Sequence, residues 1–305
     1  GAGVRGGVER RYVNRRGHKL NTQVDYAQKR KSLLTSYRIP AFRWLDGWYA
    51  VTATGYDEQT DYIDLRTYKL SGSRSGEVSE NLTLVASINA MRERWRFSSG
   101  DGYDGAQYQS ATLFYPQLVA EYVNVDDRLF PRRGYSGSAT VRAGVTGAGS
   151  DASFTQVHLQ ARAYFPLGEH NRLIARAEAG TTWTSDLVAI APSLRYFAGG
   201  DRSIRGYAFR EVGPRTPAPD RYALGAKNVV VASAEYEHYF GNSPWGAAVF
   251  VDTGSAYDDK VELKTGVGLG LRWKSPVGPV RVDVAHGLDD PDSQFQLYLN
   301  IGADL

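Results

Sequence analysis

Along most of the chain, apolar and polar residues alternate with a period of two. Leu82, Leu84, Ala86, Ile88 and Ala90 fall on one face, opposite Thr83, Ser87, Asn89 and Glu93. Val157, Leu159, Ala161, Ala163 and Phe165 oppose Gln156, His158, Gln160, Arg162 and Tyr164; Leu173, Ala175, Ala177, Ala179 and Trp183 oppose Arg176, Glu178 and Thr182. The last quarter repeats the pattern. Val267, Leu269, Leu271 and Trp273 face away from Gly266, Gly268, Gly270 and Arg272, and Val280, Val282 and Val284 face away from Arg281 and Asp283. Phe295, Leu297, Leu299 and Ile301 then oppose Gln296, Tyr298, Asn300 and Gly302. Successive side chains of a strand point to opposite faces, so this period predicts strands and not helices.

A soluble β-sandwich also alternates, but it seals its apolar face inside. Here Arg162, Arg176, Glu178, Arg272 and Arg281 recur on one face, and aromatics collect near the ends of the other. That distribution fits a wall with lipid outside and a wet lumen inside. The expected fold class is all-β, a transmembrane antiparallel β-barrel. Tight connections at Asn14–His18, Leu167–Asn171, Gly241–Trp245 and Ser275–Pro279 alternate with longer polar ones at Arg96–Ala106 and Asp186–Gly225. Short turns on the periplasmic side and long loops outside are the habit of such barrels. Pro214, Pro217 and Pro219 argue that the second half of Asp186–Gly225 is not strand.

The pattern yields about fifteen strands, whereas bacterial single-chain barrels have an even number. With Leu305 in the periplasm, counting backwards puts Gly1 outside the cell, so a first strand is expected upstream of this chain, about 16 in all. The alternation is patchiest between Gly1 and Gly76. The whole of 1–305 is read as one barrel domain, and no signal-peptide pattern opens it, as expected of an excised part of a longer protein.

Composition narrows the picture. No uninterrupted apolar run of about 18 residues exists, which rules out a spanning helix but not a barrel, whose strands average near-neutral hydropathy. The 20 tyrosines, 6 tryptophans and 33 glycines are what aromatic girdles and glycine-bearing strands consume. Lys and Arg (36) nearly balance Asp and Glu (33), and the charges are dispersed, so nucleic-acid binding is not expected. There is no cysteine, and His18, His158, His170, His238 and His286 form no metal-ligand pair in sequence. No G-x-S-x-G elbow or P-loop is present. No catalytic residue, metal or cofactor is assigned.

The segment Arg195–Tyr207 (R-Y-F-A-G-G-D-R-S-I-R-G-Y) stands out, together with Ala248–Gly254 (A-V-F-V-D-T-G) and Trp273–Val280 (W-K-S-P-V-G-P-V); Thr112–Pro116 and Asn14–Leu20 add weaker support. In combination these resemble the barrel domain of the TamA family, outer-membrane subunits of the translocation and assembly module. That family lies in the superfamily that also holds BamA and the two-partner secretion transporters. The resemblance runs from about Arg10 to Leu305. It implies a signature loop folded into the lumen, carrying Gly199, Gly200, Asp201, Arg205, Gly206 and Tyr207, with Arg205 meeting Glu235 and Asp252 on the wall. Alternation independently turns Glu235 and Asp252 inward, and Gly266, Gly268 and Gly270 leave space for a loop against the wall.

The resemblance further implies a lateral seam between the first and last strands. Its last strand would be Phe295–Leu305, with Phe295, Leu297, Leu299 and Ile301 toward lipid and Gly302 as a bend. Expected partners are the bilayer, client β-barrels such as autotransporters, and an inner-membrane-anchored TamB-like protein; the expected location is the outer membrane of a Gram-negative bacterium. A BamA-like general assembly factor, a two-partner secretion transporter and a passive pore are the rivals. The chain ends Ala303-Asp304-Leu305 without the terminal Phe or Trp common in outer-membrane barrels, and it carries no periplasmic POTRA domains.

Overall fold

Among the described residues, fifteen strands follow one another in a single antiparallel sheet whose spatial order is the chain order. The computed structural model describes residues 3–60, 63–97, 107–216, 221–276, 278–289 and 295–302. The strands are β1 (Gly3–Arg10), β2 (Lys19–Ala27), β3 (Arg30–Ala41), β4 (Gly47–Gln59), β5 (Ile63–Glu77), β6 (Leu82–Phe97), β7 (Gln109–Val125) and β8 (Gly134–Gly144). They continue as β9 (Phe154–Leu167), β10 (Asn171–Thr184), β11 (Asn228–Tyr239), β12 (Trp245–Tyr257), β13 (Lys264–Ser275), β14 (Gly278–Gly287) and β15 (Gln296–Ile301). A 3-10 turn at Pro192–Leu194 is the one named helical element among the described residues.

The predicted faces hold along the sheet. Leu269, Leu271, Leu297, Leu299 and Ile301 are exposed, whereas Gln156, Arg172, Glu235, Asp252, Arg272 and Asp283 are buried. Charged side chains inside and aliphatic ones outside invert the order of a soluble protein, as a lipid-facing wall requires. The faces persist through the described residues of 4–76 as well, where small polar residues obscure them. Thr52 and Ser36, for example, hydrogen-bond to each other at 3.0 Å on the inner side.

The strand count agrees with the sequence, but among the described residues the sheet does not close on itself: β1 pairs there only with β2, and β15 only with β14. Connection lengths depart from a simple long-short alternation. The β2–β3 connection is only Gln28 and Lys29, although it lies at the end of the sheet that carries the longest loop. The expected loop at Arg96–Ala106 falls mostly outside the described residues, as do Pro217, Pro219 and Ala303–Leu305.

Near that same end the alternation changes character. Beyond Ala90, the inner face of β6 becomes largely apolar, with Met91, Trp95 and Phe97 beside the buried Glu93, and the outer face takes Arg92 and Arg94. Ile63, Leu65, Leu113, Tyr115 and Phe154 join them around Ile190 and Leu194 of the connection between β10 and β11. Each large side chain so buried contributes about 1.5–3 kcal/mol. The long connection is therefore seated within the curved sheet at two levels, an apolar one at this rim and a charged one deeper.

Candidate functional site

The deeper level is built by β10–β14 and the segment Ala198–Val212. That segment braces itself: Val212 N–H donates to Ala198 O at 3.0 Å, Gly200 N–H to Ile204 O at 3.2 Å, and Ser203 N–H to Gly200 O at 3.1 Å. Asp201 lies in the resulting turn, half-buried, and its carboxylate has no hydrogen-bond or ion-pair partner among the described residues. Gly206 adopts φ +100 and packs so closely on β14 that a Cβ would lie 2.6 Å from the carbonyl carbon of His286. Only a glycine fits both requirements. Tyr298 on β15 closes the segment from the other side, accepting from Gly206 N–H at 3.1 Å and donating to Tyr207 O at 2.8 Å. The Tyr207 hydroxyl donates to Thr265 O at 3.3 Å.

Arg205 is buried, as are the two acids expected to meet it. Its Nε and Nη2 donate to the two oxygens of Asp252 at 2.7 and 3.0 Å, and its backbone N–H donates to the same carboxylate at 3.0 Å. Its Nη1 donates to Glu235 at 2.6 Å and to Asp283 at 3.1 Å. The guanidinium carbon lies 3.4 Å from the centre of the Phe250 ring. A planar fork with delocalised charge suits paired carboxylates on its edges and an aromatic ring on its face.

The cluster is larger than the expected triad. Arg272 donates to Glu235 at 2.6 Å, to Glu237 at 2.7 Å and to Asp283 at 2.5 Å. Arg172 donates to Glu237 at 2.6 Å and also reaches Pro131 O. Arg176 approaches Asp252 at 3.4 Å and donates to Arg202 O at 3.0 Å. Four guanidinium groups thus meet four carboxylates. A matched count matters here, because an unpaired charge in a site of this burial is costly.

Register explains why these residues converge. Ser233, Asp252 and Gly266 are consecutive cross-strand partners, and so are Glu235, Phe250 and Gly268. Glu237 pairs with Ala248, Ala248 with Gly270, and Gly270 with Asp283. Each inward glycine of β13 accommodates something different. A Cβ at Gly266 would strike the carbonyl oxygen of Arg205, one at Gly268 the Phe250 ring, and one at Gly270 the Asp283 and Arg272 side chains. Asp283, Arg272, Glu237, Arg172 and Phe250 were not assigned from the sequence. The available signal was the three inward glycines flanked by Arg272 and Asp283.

Phe250→Leu retains the ion pairs and removes the ring beneath Arg205. The expected loss is about 1–2 kcal/mol, the scale of a desolvated cation–π contact. It should be read as a lowered temperature for the heat-induced shift of the folded barrel on cold electrophoresis, with the loop still protease-resistant.

The residues expected to line a seam face outward. Phe295, Leu297, Leu299 and Ile301 are between 64 and 74 % exposed on the outer face. The described β15 is six residues long and matches β14 over six positions. Gly302 follows with φ +134, its N–H donating to Pro279 O at 3.0 Å, so the chain bends at the expected position.

Comparison with known proteins gives a consistent result. The model of the Omp85 superfamily domain matches residues 13–304. An outer membrane protein assembly factor BamA from Nitratidesulfovibrio vulgaris is 25% identical over 94% of this chain and 37% of its own length. A BamA from Neorickettsia risticii is 27% identical over 71% of this chain and 31% of its own length. The chain thus spans about a third of these relatives. Among solved structures, BamA from Haemophilus ducreyi lacking POTRA domains 1-3 has a TM-score of 0.85 at 18% identity, covering 99% of this chain and 67% of that one. CdiB from Escherichia coli has a TM-score of 0.64 at 13% identity over 99% of this chain and 59% of its own.

Proposed function

The chain belongs to the Omp85 superfamily, and on that premise we propose that it is the barrel of an outer-membrane protein insertase, with β15 forming one lip of a lateral seam. The observation that carries this reading is the pairing of a fixed loop with an open edge. Arg205 pins the loop inside the curved sheet, and among the described residues β15 has no neighbour on its far backbone edge. Unpaired strand edges are costly in lipid and are templates for an added strand. A client strand pairing with β15 would satisfy those groups by β-augmentation. No bond chemistry is involved. The lumenal clasp keeps the wall rigid and the interior filled while the edge exchanges partners.

Within the superfamily we assign the chain to the TamA-like branch, on the segments Arg195–Tyr207, Ala248–Gly254 and Trp273–Val280. Its clients would then be outer-membrane barrels such as autotransporters, and its partner a TamB-like protein anchored in the inner membrane. A first strand upstream of β1 would complete an even-numbered barrel with the C-terminus in the periplasm. BamA-type general assembly is the second reading, favoured by the BamA relatives. Two-partner secretion requires a passage for an unfolded chain, which the pinned loop obstructs.

Photo-crosslinkers placed from Phe295 to Ile301 in the full-length protein test the seam. Outward positions on β15 are expected to capture nascent barrel proteins, and the equivalent outward positions Leu269 and Leu271 on β13 are not. Capture at neither strand overturns the insertase reading. In planar bilayers the clasped barrel should show low conductance; a large steady channel would favour the transporter or the pore.

A further inference from the structure

The outer face of β3–β8 is dished at the end where β15 finishes. Two cross-strand rows build the depression: Val51, Gly72 and Ile88 in one, Tyr49, Arg74, Ala86 and Leu118 in the other. Gly72 and Ala86 give the floor little bulk, and exposed Tyr49, Val51, Ile88 and Leu118 stand around it. The result is an apolar groove of about 830 Å³ on the wall that faces lipid.

The mouth of the groove is cationic. Arg74 faces outward, lies over the Tyr49 ring at 5.1 Å, and donates to the main-chain carbonyls of Arg43 (3.3 Å) and Leu45. It has no carboxylate partner among the described residues, and neither has Arg43, which sits over the Trp44 ring at 5.9 Å in the turn between β3 and β4. Phe42 and Trp44 in that turn are 78 and 92 % exposed. The neighbouring β1–β2 turn adds exposed Arg11, Arg15 and Arg16, with Glu9 beside Arg11 at 3.5 Å. Contrast the cluster at Arg205, where four arginines are matched by four acids. Exposed aromatics beside uncompensated arginines at a membrane rim match the depth of phosphate headgroups.

We propose that this is a binding site for one glycerophospholipid with an anionic headgroup. The phosphate is held by Arg74 and Arg43, whose planar donors suit its oxygens. One acyl chain lies along Gly72 and Ala86 between Val51 and Leu118. The site rests on the outer face meeting lipid and is independent of client insertion, so it stands or falls separately from the seam.

The full chain in detergent micelles is equilibrated with phosphatidylglycerol or phosphatidylcholine, and retained lipid is counted by native mass spectrometry. One phosphatidylglycerol should persist where phosphatidylcholine does not. Arg43→Gln with Arg74→Gln should lower retention at least about tenfold, as expected for loss of charge-assisted contacts. Gly72→Trp should do the same by filling the groove, and a Cβ there meets nothing within 4 Å, so the fold tolerates it. Leu269→Trp on another part of the wall should change nothing. The proposal is overturned if Gly72→Trp retains lipid like the wild type, if phosphatidylcholine binds equally, or if glycerol phosphate alone displaces the lipid, which would indicate a headgroup contact without a groove.

Discussion

Arg205→Ala is expected to free the lumenal loop and to cost the barrel about 3–5 kcal/mol, the penalty for removing one partner from a buried ion-pair cluster. The arginine meets Glu235, Asp252 and Asp283 at once. Without it, Asp252 keeps only Arg176 at 3.4 Å and the Ser233 hydroxyl at 2.5 Å. The balance of four cations and four anions becomes three to four. The temperature of heat-induced unfolding on cold electrophoresis should fall well below that of Phe250→Leu. Protease should cut within residues 185–216 of the variant and is expected to leave them intact in the parent. Arg205→Lys should restore little, because an ammonium cannot hold both oxygens of Asp252 and also reach Glu235 in one plane. Client assembly in cells should fall with loop protection. Parental melting and protease resistance in Arg205→Ala would show that the clasp does not hold the loop.

How much of this was legible before the structure depends on the range of the interaction. Period two is local, and each strand announced its own faces, so the inward direction of Glu235, Asp252, Arg272 and Asp283 could be read from neighbours one residue away. Strand number followed for the same reason. The pairing of Arg272 with Glu235, Glu237 and Asp283 could not be read that way. It depends on the register of β11 through β14, and a register shift of one residue reverses every face. Arg172 joins through its cross-strand partner Glu237, at the end of the β10–β11 pair farthest from the long connection that joins the two strands. The apolar level at the rim was hidden for another reason. Met91, Trp95 and Phe97 keep the period of their strand while the environment changes from a wet lumen to a packed loop. Alternation identifies a face; it does not say what covers it.

The edges show the same limit. Phe295, Leu297, Leu299 and Ile301 were readable as an outward row, and Gly302 as a bend, from the last strand alone. Whether β15 finds a second neighbour is a property of the whole sheet, and in the described residues it finds only β14. Tyr298 links the two regions. Its hydroxyl contacts Gly206 and Tyr207, so the strand with the free edge is also a wall of the loop site. Tyr298→Phe removes both contacts without altering the outward row, and it should shift crosslinking at Phe295 and Leu297 if the loop governs the seam.

Gly266→Val separates shape from charge at the clasp. Every charged group is retained, but a Cβ at Gly266 would occupy the position of the Arg205 carbonyl oxygen, a backbone atom that no rotamer can move aside. The segment at Arg205 must lift from β13, drawing its guanidinium away from Asp252, which lies directly across from Gly266. Loop exposure to protease is therefore expected to approach that of Arg205→Ala, with a loss of stability of several kcal/mol, on the order of other severe overpacking in a filled interior. Gly270→Ala is the matched comparison. Its Cβ meets the side-chain ends of Asp283 and Arg272, which can shift, so the loss should be smaller and the loop should stay protected. If the two substitutions behave alike, the close approach of the loop backbone to β13 is not what fixes it. If only Gly266→Val releases the loop, the glycine on the wall is as necessary to the clasp as the arginine it receives.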